Sequence, residues 1–195
     1  MTLAISKEFA KFTPAELERI AGIPPEMQRV WRSRGHLPKN EGAHARYDAL
    51  LVASLMVRKA LMSLGVGQAE ISDLSYEAAR HVLWWALSQG GGAWAVTQLG
   101  GKSVQRDVAR RFDDLPSRIL QLNEGEAHRF IARGADGEAA LTSEIVDFFK
   151  GQEVGFFVDL GALATRLVNR AGRPLLRVTV AKAEDLGGPL WSKHT

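Results

Sequence analysis

Along the first third of the chain, apolar positions recur at helical spacing in short blocks broken by glycine and proline. In "FTPAELERIAG", Leu17, Ile20 and Ala21 mark one face of a short helix. Thr13 is its N-cap, Pro14 its first residue, Glu16 lies in its first turn and Gly22 ends it. Pro24–Pro25 suits the start of a second helix, from about Pro25 to Arg34, with Gly35 as its stop. Its apolar stripe is Met27, Val30 and Trp31, which places Gln28, Arg29, Arg32 and Ser33 largely on the other side. The pattern then breaks. "HLPKNEGAHARYD" carries Asn40 and Gly42 between short flanks at Leu37 and Arg46–Tyr47, and reads as a two-stranded hairpin. Asp48 follows as the cap of a long apolar helix, "DALLVASLMVRKALMSLG", that ends near Gly65.

Further on, "GQAEISDLSYEAARHVLWWALSQ" reads as one or two helices with a broad apolar surface of Leu74, Ala78, Val82, Leu83, Trp85 and Ala86. A linker rich in glycine, Gly90–Gly92 and Gly100–Gly101, brackets a strand "AWAVTQL". Beyond it the helical and alternating blocks mix. "SVQRDVARRF" and "LPSRILQLN" are helical, "HRFIARG" and "GEAALT" alternate as paired strands, and "SEIVDFFKG" forms a short helix capped by Ser143. "VGFFVDL" reads as a buried strand, "DLGALATRLVNRAG" as an amphipathic helix ending at Gly172, and "LLRVTVA" as a last strand after Pro174. The predicted class is α+β, in three parts. Residues 11–67 form an N-terminal module, 68–89 a helical connector, and 103–190 a C-terminal α/β domain of unrecognised type.

Composition narrows this picture. A chain of 195 residues with 46% apolar and 24% charged residues buries a real core and is not compositionally disordered. No apolar run approaches the roughly 20 residues of a membrane span, and "MTLAISKEFAKFT" lacks the apolar region of a signal peptide, so a cytoplasmic address is expected. With no cysteine, disulfides, zinc thiolates and thiol nucleophiles are excluded. Charge is uneven. Residues 1–67 hold ten Lys or Arg against six Asp or Glu, a balance of +4, which leaves fifteen against sixteen for the rest. The excess sits in Arg29, Arg32, Arg34, Lys39 and Arg46, the footprint of a phosphate backbone or of a solvated cationic face.

Two short helices joined by a glycine-containing turn, the second basic, have the layout of a helix-turn-helix. The hairpin then serves as a wing, with Lys39, Asn40, His44 and Arg46 near its tip or sides. Residues 12–74 resemble the winged helix-turn-helix of MerR-type transcription regulators, through "FTPAELERIAGIPP", "RVWRSRGHLP", "ARYD" and "LMSLGVGQAEISDL" in that order. The form "MQRVWRSRGHLP" is nearest the small MerR-like proteins of bacteria and phages. The resemblance implies binding of double-stranded DNA, with Thr13, Gln28, Arg29, Arg32, Ser33, Lys39, Asn40, His44 and Arg46 as contacts. It also implies a homodimer formed through the helix after the module. The chain departs from the family at Glu26, where many members carry arginine, and at Gln28, which replaces a usual apolar residue. A carboxylate at position 26 repels phosphate or accepts from a cytosine amine. Trp31 is expected in the core, anchoring the basic helix.

The remaining candidates for chemistry thin out. "GGKS" is no phosphate loop, because Val96 stands where the loop needs its first glycine. His81, His128 and His194 are isolated in sequence, without metal-ligand spacing, and Asp113–Asp114 and Glu124–Glu126 read as solvated loop charges. No serine sits in a nucleophile elbow, so no catalytic residue, cofactor or metal is assigned. Trp84 and Trp85 line a ligand pocket or, on opposite sides of one helix, a buried dimer or domain contact. Three functions follow. They are a sequence-specific regulator whose C-terminal domain dimerises or senses a small-molecule effector, a phage-type architectural, excisionase-like or packaging protein, and an enzyme directed to DNA by the module.

Overall fold

The computed structural model describes residues 3–38, 45–89, 93–98, 115–122, 124–135, 137–150 and 154–182. The hairpin tip with Lys39, Asn40 and His44, the glycine-rich turns, the helix "SVQRDVARRF", Asp113–Asp114 and His194 lie outside the described residues.

Mixed α+β architecture follows from the local signals. Strands β1 (Leu3–Phe9) and β2 (Lys11–Phe12) precede α1 (Pro14–Ala21) and α2 (Pro25–Ser33). Thr13 closes a capping box with Glu16, and Gly22 ends α1 in the left-handed conformation at φ 66°. A side chain there would be strained, and a Cβ would stand 2.8 Å from Lys59 Nζ. After β3 (Tyr47–Asp48), Asp48 caps α3 (Ala49–Ser63) by accepting from Leu51 N at 2.8 Å. The next block, free of glycine and proline, is one unbroken helix, α4 (Gln68–Ser88). There follow β4 (Trp94–Gln98), α5 (Leu115–Leu120), a 3-10 turn at Glu124–Glu126, β5 (Phe130–Gly134), β6 (Ala140–Thr142) and α6 (Ile145–Phe148). The chain then forms β7 (Gly155–Asp159), α7 (Leu160–Ala171) and β8 (Leu176–Lys182). Asp159 and Gly172 bound α7 as Asp48 and Gly22 bound α3 and α1, one a side-chain cap and the other a left-handed stop.

Two three-stranded sheets organise these elements. In the first, β8 is central, antiparallel to β1 and parallel to β4. Leu176, Val178 and Val180 are buried while Arg177 is exposed, the period-two pattern of a sheet with one covered face. The N-terminal strand carries no element in the sequence reading, because "AISKEF" lacks strong alternation. Its seven-residue ladder to β8, Leu3↔Lys182 through Phe9↔Leu176, is set by a partner at the far end of the chain. In the second sheet β5 is central between β6 and β7, both antiparallel. The expected pairing of "HRFIARG" with "GEAALT" is there. "VGFFVDL" is a strand but not a buried one, since β7 is an edge and leaves Phe157 49% exposed. At the next turn Thr142 Oγ1 accepts from Glu144 N, whereas Ser143 Oγ lies 3.1 Å from His128 Nδ1.

One apolar core runs from Phe12 to Val180 across all three sequence segments. Helix α4 lies at its centre, packed on α3, α5 and α7. Of the surface expected to face a second copy, Leu74, Ala78, Val82, Leu83 and Ala86 are buried within the same chain and Trp85 is half-buried. What α4 leaves outside is polar, with Ser72, Asp73 and Glu77 around an exposed Tyr76. Trp84 and Trp85 make an intramolecular contact. Their rings meet edge-on at 5.1 Å; Trp84 Nε1 donates to Ser117 Oγ and Trp85 Nε1 to His128 O. No helix among the described residues is long and apolar enough to cross a membrane.

Candidate nucleic-acid interface

Of the residues singled out in the N-terminal module, Gln28, Arg29 and Arg32 come together at a cleft where α1 and α2 begin, and Thr13 caps α1 beside it. Thr13 Oγ1 accepts from Glu16 N at 3.2 Å and Glu16 Oε2 accepts from Thr13 N at 2.7 Å, so the threonine oxygen is occupied by its own helix. Its hydroxyl hydrogen remains available to an acceptor. Glu16 is held below the usual carboxylate range, chiefly by the Thr13 backbone bond, and Arg173 pairs with it at 3.0 Å. The turn to α2 is Gly22–Pro24, and Pro25 as first residue removes one amide donor that no helix bond would use.

On α2 the burial stripe is rotated by one position from the expected one. Gln28 is 1% exposed and Trp31 2%, whereas Val30 is 39% exposed. Gln28 is therefore not on the outward face. Its Nε2 donates to Pro14 O and to Ile23 O, both at 2.8 Å, and ties the start of α1 to the turn before α2. The polar side chain goes inside because two carbonyls there need a donor. Trp31 stands in the core as expected, edge-on to His36 with ring centroids 6.5 Å apart. Burial, and then the charges of Arg58 and Arg34, hold His36 below the ordinary histidine range.

Arg29 and Ser33 are exposed, with Ser33 Oγ donating to Val30 O at 2.8 Å. Arg32 is half-buried; its Nη2 donates to Tyr47 Oη at 3.4 Å. Arg46 is exposed and donates to Ala45 O. Tyr47 was not among the sequence candidates, although "ARYD" contains it; buried itself, it offers its hydroxyl as an acceptor to Arg32. The flanks of the hairpin also differ from expectation. Tyr47–Asp48 pairs with Phe12–Lys11 from before α1, not with the Leu37 flank. Leu37 is buried instead, held through its amide by Trp31 O.

Pro14, Pro25, Glu26, Gln28, Arg29 and Arg32 line a cleft of about 330 Å³ between the two helix starts. Arg29 and Arg32 lie one turn apart on its wall, so two guanidinium groups reach the same opening. Gln28 Oε1 and Arg32 Nε are buried and have no hydrogen-bond partner among the described residues. Glu26 adds one carboxylate to the rim. The opening itself is lined by the Arg29 and Arg32 guanidinium groups, which suit a phosphate oxygen or a guanine edge.

Two of the histidines isolated in sequence come together in the fold. His81 on α4 and His128 before β5 have ring centroids 5.2 Å apart, and His81 Nδ1 accepts from His128 N at 3.1 Å. Among the described residues no three acidic or histidine groups cluster as metal ligands. The chain matches no protein-family model and no curated protein.

Proposed function

We propose that the chain is a sequence-specific regulator of transcription that binds double-stranded DNA through a MerR-like winged helix-turn-helix. The carrying observation is the outer face of α2. Arg29, Arg32 and Ser33 stand together beside an open cleft, while Trp31 and Gln28 fasten the opposite face to α1. In this reading α2 enters the major groove. Arg29 and Arg32 meet phosphates or guanine edges, and the segment with Lys39, Asn40, His44 and Arg46 reaches the adjacent backbone or minor groove as the wing. Thr13 donates to a phosphate at the start of α1. Two copies then read a two-fold-related site, through a surface other than the buried side of α4.

Selection of bound sequences from a random DNA pool, at low and at moderate salt, tests the reading. A palindromic motif enriched at both salt concentrations is the expected result. Binding that collapses with salt and enriches no motif would instead make the cationic face a backbone clamp, as in an architectural protein.

A further inference from the structure

A second, larger cleft of about 530 Å³ opens where α3 and the end of α1 meet β7 and α7. That volume lies in the range of small-ligand sites, roughly 300–1,000 Å³. Its lining carries apolar side chains from both sides, Met56 and Leu64 from α3 and its end, Phe157 and Leu163 from β7 and α7. Leu64 is 41% exposed and Phe157 49%, so two of the large apolar side chains left on the surface flank one opening. Isolated exposed apolar residues carry no meaning, but two across a cleft do.

The rim is cationic. Lys59, Arg166 and Arg170 line it against one carboxylate, Asp159. That carboxylate is already engaged, accepting from Ala162 N at 3.0 Å through Oδ1 and pairing with Arg129 at 3.4 Å through Oδ2. Lys59 Nζ donates to Gly22 O at 2.5 Å and Ala21 O at 3.4 Å, which fixes its ammonium at the α1 end of the cleft with one N–H unpaired among the described residues. Arg170 donates to Ile20 O through Nη1. Arg166 is exposed and has no partner among the described residues.

An apolar trough under a cationic rim selects by two features at once. A bare inorganic anion would leave Phe157 and Leu64 in water, and a neutral apolar molecule would leave the cations unmatched. We propose that this cleft binds a small organic carboxylate with an apolar body. Arg166, assisted by Lys59, holds the carboxylate, and the body lies between Phe157 and Leu64. A ligand seated there touches both α3 of the N-terminal module and the C-terminal β7–α7 unit, which is the placement an effector needs.

Calorimetric titration of the full chain with octanoate tests this, with octanol and octyltrimethylammonium as neutral and cationic probes of the same length. Saturable one-site binding of octanoate, at least fivefold tighter than octanol and with no saturable binding of the cation, is expected. Arg166→Gln should erase the preference for octanoate over octanol, and Phe157→Ala should weaken both by fivefold or more. Both side chains are exposed, so these variants keep their fold, which a thermal melt checks. Equal affinity for octanoate and octanol, wild-type octanoate affinity in Arg166→Gln, or heats that never saturate would each overturn the assignment. Because ligand binding is measured without DNA, the result stands apart from the outcome of the DNA selection.

Discussion

Arg29 and Gln28 are neighbours in sequence with opposite duties. Arg29 stands in solvent at the cleft, and Gln28 is buried with both amide hydrogens on carbonyls. Arg29→Ala should leave the melting temperature unchanged and weaken the preferred DNA site by about 1–3 kcal/mol. Equal losses on preferred and random DNA would reduce it to a phosphate contact. Gln28→Ala should do the reverse. Removing the shared donor costs about 1–2 kcal/mol of stability, read by chemical denaturation, while DNA affinity per folded molecule holds. The sequence did carry a hint of this, since Gln28 occupies a position that is apolar in the resembled family. Polarity argued for the outside, and only the positions of Pro14 O and Ile23 O argue for the inside. For Trp31, apolar character and position agree, and its burial was legible from the start. Trp31→Ala should cost about 3–5 kcal/mol and abolish a cooperative melt at moderate temperature.

Single residues placed at helix ends decide the elements. Asp48→Ala should lose about 1 kcal/mol by leaving the Leu51 amide without its acceptor, measurable as a lower denaturant midpoint at unchanged slope. Caps of this kind were readable because they act within four residues, which is why α1, α3 and α7 begin and end close to where the sequence places them. Strands were less legible. β4 and β8 announce themselves by alternation, but β1 does not, and the partner of β3 could not be inferred from the hairpin pattern. Helix α4 also brings a pH dependence. Burial first, then the charges of His128 and Arg80, pushes His81 from 6.5 down to about 4. The folded state therefore keeps this ring neutral where the unfolded chain binds a proton. Stability contributed by the neutral ring is complete above pH 6.5, falls as pH drops from 6.5 to 4, and levels off below, a loss of about 3 kcal/mol in all. Replacement by Gln should flatten that part of the pH–stability curve; an unchanged slope would rule His81 out as its source.

Across the whole molecule, residues of the module, the connector and the C-terminal segment contribute to one apolar core. Strand β1 pairs with β8, Arg173 pairs with Glu16 of α1, and α4 packs on both α3 and α7. A fragment ending at residue 67 would expose the side of α3 that α4 and α7 cover. Expressed alone it should lack a cooperative thermal transition; a sharp melt near that of the full chain would show the module to be autonomous after all. The sequence by itself determined what depends on neighbours along the chain: helix limits, caps, the tryptophan anchor, the cationic balance of +4 in residues 1–67 and the mixed α+β class. Only the tertiary structure decided which apolar face meets which, that Gln28 turns inward, that His81 meets His128, and that β1 and β8, far apart in sequence, share a sheet. Propensity and capping are local energies and leave their mark in a short window of sequence. Pairing and burial depend on surfaces brought together from distant positions, and no short window records those.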